Sequence, residues 1–568
     1  MPSLDNFRQR LYYFEALPQL VVLGILSGLV TGGVIILFRL AIELPQQWLL
    51  PTGIIEHFES LPLWQRFLYP VLGSLLLIML FKLLPRSSRS VGIPHLLERL
   101  NYHQGRLSPV NLVTQFIAGA IALGSGHSVG REGPAVYLGA SASSVIGQLL
   151  KLPNNTLRIL IGCGSAAAIA AVFNTPLAGV IFAMEVILLE YSILGFIPVM
   201  VAAVVGDVVI QLTLGRVADL ALPGLPQDVL PDLPMLLVLG LMIGVVAAAF
   251  ISTLQQTLKL RSLPLPARLL LAGLIAGTIS LAIPEVMGTG YDSIEGLFHS
   301  PSTLGMLLLL LICKTMLTPF VIGLGVPGGI IGPSLVIGAI AGALLAGLGQ
   351  HLNLPTSTDL FAIIGMGAMM GAVLNAPLAA LIALLELTDN STIILPAMLA
   401  IVVSNLTLRS VFKLPSAFQA TLVAQGLDIR QTPMAQTLSR AAVGSLMERD
   451  FTPLSAVQPR ETLKTIAENR PRWLLIEQER DWTLMPCGEL IRHLETQSGS
   501  EHAVNLLQIP ANRLHATPVY SRATLLEAWQ KMESEGISAL LVVSNRETPL
   551  GVISRNQIEE YYNHKQAL

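Results

Sequence analysis

The sequence predicts an all-α polytopic membrane domain followed by a soluble α/β domain, on three observations: composition, the spacing of apolar runs, and a repeat of Gly/Pro-rich motifs. Of 568 residues, 52% are hydrophobic and 12% charged, and the mean hydropathy is +0.65, values outside the range of an ordinary soluble domain. A formal net charge of −2 offers no electrostatic case for nucleic acid. Cys163, Cys313 and Cys487 are too scattered for a disulfide framework or a zinc site. About 30 of the 34 Lys and Arg and 36 Asp and Glu residues lie after residue 439. The expected organisation is therefore a membrane domain over 17–430 and a soluble domain over 440–568.

The elements follow in order. Residues 1–16 lack a basic stretch running into a short apolar core and a small-residue cleavage site, so they read as an amphipathic cytosolic helix rather than a cleaved signal. Leu17 to Leu44 and Leu63 to Leu84 are each long enough to cross a bilayer at ~20 residues per span. Arg8 and Arg10 precede the first run and Arg86 and Arg89 follow the second, which puts both basic clusters and the N-terminus on the cytoplasmic side. Later apolar segments, at 111–123, 134–150, 157–172, 176–189, 333–349, 358–373 and 377–387, are short and broken by Gly or Pro. Irregular backbone at membrane depth is tolerated where protein buries it or where it lines a watery path.

Two of those motifs occur twice. GREGPAVYLGA at 130–140 returns as GIIGPSLVIGA at 329–339, and FNTPLAGVIFAMEV at 173–186 returns as LNAPLAALIALLEL at 374–387. One unit of about 200 residues is thus used twice, over about 62–213 and 265–411. Each G-x-x-G-P stretch runs into an apolar helix with Pro in its first turn. Such a helix start offers unpaired N–H groups and a partial positive charge, and glycines let an anion approach the backbone. Within that setting Arg131 and Glu132 are charges at bilayer depth, hence candidate functional residues. His127, five residues before Glu132, reads as a hydrogen-bonded loop histidine or as a tuner of Glu132. Lys314 reads as a source of positive field or as a snorkelling side chain. A membrane enzyme would need a converging Ser, Cys or His constellation, which the apolar half does not offer.

The motifs S-V-G-I-P at 90–94, G-R-E-G-P at 130–134, F-N-T-P-L-A-G at 173–179 and G-I-I-G-P at 329–333 resemble, in their order, those of the CLC family of chloride channels and chloride/proton exchangers. The resemblance implies a homodimer in the cell membrane, with inverted repeats of broken helices and one anion pathway in each subunit. It implies that Glu132 is the gating carboxylate, which occupies an anion site when ionised and leaves it when protonated, making flux depend on voltage and pH. Arg131, Gly133, Gly92, Ile330 and Ile331 would then supply the anion-binding backbone. Two positions depart from the family: Val91 stands where a serine hydroxyl is usual, and Phe418 where a tyrosine hydroxyl is usual. Losing two neutral hydrogen bonds would weaken anion retention by ~1–3 kcal/mol.

A third departure bears on mechanism. The inner proton-relay glutamate of exchangers corresponds to Val186, which cannot titrate, and Glu185 beside it is matched by Glu386 in the second repeat. The resulting expectation is a passive chloride channel gated by Glu132, with chloride/proton antiport or transport of another small anion as alternatives. The C-terminal part resembles a pair of CBS modules, which are cytosolic and so place the C-terminus there. Its second copy is the clearer, with TLLEAWQKMESEG and RNQIEEYY as helices and ISALLVV and PLGVIS as strands. No cofactor is expected. An adenine nucleotide at the CBS pair is weakly supported, because Ser554 is followed three residues later by Gln557 instead of the usual Asp.

Overall fold

A helix that is apolar all round must meet protein or lipid on every side, and this chain has helices of both kinds. The computed structural model describes residue 11 and residues 16–190, 193–215, 230–299, 303–354, 356–427, 433–478, 481–496, 503–544 and 548–567. The helix expected over 1–16 lies outside the described residues apart from Leu11 and Ala16. Among the described residues, nine helices are long and apolar enough to cross a membrane. Outer ones such as Leu17–Leu49 and Leu63–Leu83 turn Leu29, Leu37, Leu75 and Met79 outward, a surface that lipid covers and water would not tolerate. Inner ones, Asn154–Phe173 and Ile331–His351, are almost wholly buried, as is the shorter apolar helix Thr358–Leu374. The molecule is a multi-pass membrane protein.

The chain divides into a helical unit, residues 20–150 and 157–429, and a second unit of residues 1–19, 151–156 and 430–568. The helices Glu132–Leu149, Asn154–Phe173 and Pro176–Phe182 have counterparts in Ile331–His351, Thr358–Leu374 and Pro377–Thr388, each about 200 residues later. The same glycines close the same helix pairs. A Cβ on Gly139 would lie 2.3 Å from Gly164 O, and one on Gly338 would lie 2.2 Å from Gly365 O. Backbones this close are the membrane form of small-residue packing.

Reciprocal contacts show that the two halves face each other about a two-fold axis. The Glu185 carboxylate accepts the N–H groups of Leu378 (3.3 Å) and Ala379 (2.8 Å), which open the helix Pro377–Thr388. Glu386 accepts those of Leu177 (2.9 Å) and Ala178 (2.7 Å), which open the helix Pro176–Phe182. Each carboxylate satisfies helix-start donors that would otherwise stay unpaired in the membrane. Glu185 and Val186 sit in a π-helical turn, Ala183–Leu188.

The second unit carries a sheet of six strands in the order β1 (Phe451–Ser455), β3 (Trp473–Gln478), β4 (Asp481–Pro486), β6 (Leu514–Tyr520), β7 (Ala539–Val543), β8 (Pro549–Ser554). Strands β2 (Val457–Pro459) and β5 (Ala503–Asn505) pair separately. β1 and β3, like β6 and β7, are parallel and are joined through the helices Arg460–Asn469 and Leu525–Glu535. Each half therefore repeats strand, helix, strand, strand, helix, so the weaker first copy in the sequence has the same form as the second. Leu463, Leu474, Ile476 and Leu490 fill one core, and Leu525, Met532, Leu540 and Ile553 the other.

Candidate functional site

The two G-x-x-G-P stretches meet back to back. Gly130 and Gly329 exchange backbone hydrogen bonds of 2.8 and 2.7 Å as an isolated antiparallel bridge. A Cβ on Gly133 would come within 2.6 Å of Gly329 Cα, and one on Gly329 within 2.5 Å of Gly133 N. Glycine is required there by close approach of backbone to backbone. The bridge delivers the starts of the helices Glu132–Leu149 and Ile331–His351 to one point.

Glu132 is fully buried there. Its Oε2 accepts the N–H of Gly332 at 3.0 Å and its Oε1 accepts the hydroxyl of Tyr291 at 2.5 Å. The donors to the carboxylate are therefore neither of the neighbouring amides, Arg131 and Gly133. A residue's own neighbours at a helix start point along the axis, whereas the bridge presents the opposing helix end. The carboxylate thus rests on the positive end of a helix from the other repeat, as an anion would.

Tyr291 was not singled out in the sequence. Its only signal is Gly288-Thr289-Gly290, whose glycines adopt φ +58° and +91° just before the helix Tyr291–His299. The Tyr291 ring makes an edge contact with Phe173 at 6.5 Å and lies 5.8 Å from the Arg131 guanidinium.

A cavity of about 530 Å³ is lined by Val91, Gly92, Gly133, Ile330 and Phe418, together with Arg89, Arg261 and Arg268. Five of the sequence-derived anion positions thus surround one space with three arginines. Gly92 adopts φ +88° as it opens the helix Ile93–Tyr102, a conformation that favours glycine. Arg131, Ile331 and Val186 do not line this cavity. Arg131 borders a separate small space with Arg39, Glu43 and Glu56. Ile331 is buried and Val186 nearly so.

His127 holds the hydroxyls of Ser74 (3.0 Å) and Ser125 (2.9 Å) with its two ring nitrogens. Lys314 does not snorkel: its Nζ is buried, 3.5 Å from the carbonyls of Glu285 and Val286.

A family model described as voltage gated chloride channel matches residues 72–409. The chain belongs to the CLC family. Among CLC relatives, the putative chloride channel protein ClcB-like of Ralstonia nicotianae is 31% identical over 420 residues, covering 71% of this chain and 96% of that protein. The H(+)/Cl(−) exchange transporter ClcA of Vibrio cholerae is 30% identical over 403 residues, covering 67% and 84%. The solved structure of a slow cyanobacterial Cl−/H+ antiporter is 26% identical with a TM-score of 0.63, covering 72% of this chain and 97% of that one. A eukaryotic CLC transporter, 18% identical with a TM-score of 0.61, shares the fold over 95% of this chain and 97% of its own. The CLC-type fold with broken helices is as the sequence predicts. The passive channel expected from Val186 is overturned, because the ClcA relatives and the cyanobacterial structure are proton-coupled. One apolar side chain removes one titratable group from a path, and water can carry a proton past it.

Proposed function

We propose that the protein is a homodimeric chloride/proton exchange transporter of the cell membrane, in which Glu132 alternates between occupying an anion site and carrying a proton. The observation that carries this reading is the Glu132 carboxylate on the Gly332 N–H at a helix start. There a carboxylate and a chloride compete for one donor, and protonation removes the carboxylate's charge and its hold on the site. The proton-coupled relatives support it. Gly92, Gly133, Ile330, Val91 and Phe418 form the anion route on the side of the arginine-lined cavity, and Arg131 and Ile331 frame the Glu132 end. Protons pass Val186 by water. Both termini are cytoplasmic, and residues 440–568 form a CBS pair that acts on the membrane domain of residues 17–430 without a nucleotide. In support, Gln557 accepts the Ser554 N–H at 2.8 Å, at the start of the helix Arg555–Ala567.

In proteoliposomes a chloride gradient is expected to drive protons uphill, and the reversal potential to move with a proton gradient at fixed chloride. Chloride flux with no proton movement would refute exchange. The missing hydroxyls predict weak binding on the anion route. Val91→Ser with Phe418→Tyr is expected to tighten chloride binding about tenfold in calorimetry, two new neutral hydrogen bonds being worth ~1–3 kcal/mol. An unchanged affinity would mean that neither side chain reaches the anion.

A further inference from the structure

Glu132 is sealed from solvent, so a proton needs a way in from the face opposite the arginine-lined cavity. In the segment between the helices Leu17–Leu49 and Leu63–Leu83, Glu56 has an unusual conformation for a non-glycine residue, φ +62°. Its backbone N–H donates to Gln46 Oε1 at 3.2 Å, and Gln46 is itself buried with its Nε2 donating to Leu123 O at 3.3 Å. The residue is partly exposed, yet its Oε2 is shut off from solvent and has no hydrogen-bond partner among the described residues. A left-handed backbone at a non-glycine residue, with a carboxylate oxygen turned away from solvent, is a conformation that the surrounding structure must hold in place.

The inward side sets a few charged groups among apolar ones, Ile35, Phe38, Ile42 and Ile55. Glu56 shares a cavity of about 20 Å³ with Arg39, Glu43 and Arg131, room for one water with several polar partners. Thr289 faces the Glu56 carboxyl, and its methyl borders Gly332 alongside the Glu132 oxygens. We propose that Glu56 is the outer proton-relay residue for Glu132. This rests on the exchange reading above. The step moves one proton: the Glu56 carboxyl gives its proton to the cavity water or the Thr289 hydroxyl, which passes a proton on to the Glu132 carboxylate, and Glu56 is reprotonated from the outer solution.

Charged and titratable groups around Glu56 are Arg39 and Glu43 on the first long helix, Arg131 and Glu132 at the bridge, Tyr291 and Asp292 on the helix Tyr291–His299, and Lys314. Burial pushes the Glu56 carboxyl above its ordinary range, against the pull of Arg131. Burial, with the carboxylates of Glu59 and Glu56 nearby, raises Asp292 as well. A raised carboxyl holds a proton at pH values where an ordinary glutamate has lost it.

The test is Glu56→Gln, an isosteric change, in the full-length protein in liposomes. Proton flux and coupled chloride flux are expected to fall at least about tenfold, with the pH profile displaced to lower pH, while Glu56→Asp retains most of the flux. In a Glu132→Ala background, where anion flux needs no proton, adding Glu56→Gln is expected to change chloride flux by less than about twofold. Unchanged proton flux and pH profile in Glu56→Gln would overturn the relay and leave exchange standing. So would an equal loss of chloride flux in the Glu132→Ala background, which marks a structural role. Wild-type protein that moves no protons at all would overturn both readings together.

Discussion

Glu132→Gln is expected to lower chloride-driven proton transport by about 10²-fold or more, the range in which a positioned proton-transferring side chain contributes, while chloride still moves. The amide has the same shape: its oxygen can take the Gly332 N–H where Oε2 stood, and its NH2 can donate to the Tyr291 hydroxyl oxygen, which reverses the bond that Tyr291 makes to Oε1 of the carboxylate. The amide carries no negative charge to compete with chloride for the positive helix end, and no proton that it can lose or gain near neutral pH. Chloride flux should therefore lose most of its pH dependence. Glu132→Ala, which vacates the site, should behave alike in proton flux. Full proton uptake in both variants would remove Glu132 from the transport cycle.

Gly329→Ala is the second large effect. The added Cβ meets backbone on every side: Gly133 N at 2.5 Å, Gly130 O at 2.9 Å and Gly133 Cα at 3.0 Å. No flexible side chain is there to give way, so the Gly130–Gly329 bridge must open and the two helix starts must part. Overpacking together with two broken backbone hydrogen bonds is expected to cost about 2–5 kcal/mol. Thermal unfolding of the purified protein should show it, with anion flux lost in parallel. Gly33→Ala is the control, because its Cβ would meet nothing within 4 Å and alanine favours the helix. Equal stability of the two variants would mean that the bridge does not hold the halves together.

Much of the molecule was legible in its sequence because the relevant forces are local. Apolar runs and the displacement of charge to the last quarter determine which segments meet lipid and which meet water. The repeated G-x-x-G-P and N-x-P-L-A strings determine where helices begin, since Pro and Gly act on the backbone of their own turn. Glu132 stood out as a charge in an apolar stretch. What the tertiary structure decided is partnership. The hydroxyl on Glu132 comes from Tyr291, 159 residues away, and the donor at its other oxygen from Gly332, 200 residues away. Glu185 and Glu386 each cap a helix of the opposite repeat, and a carboxylate's partner across a two-fold axis leaves no trace in its neighbours along the chain. Glu56 passed unnoticed for the same reason: its left-handed backbone and its inward-facing oxygen depend on what packs around it. Val186 points to the matching limit on mechanism, because a side chain's identity says whether it can titrate, and only the space around it decides whether water takes its place.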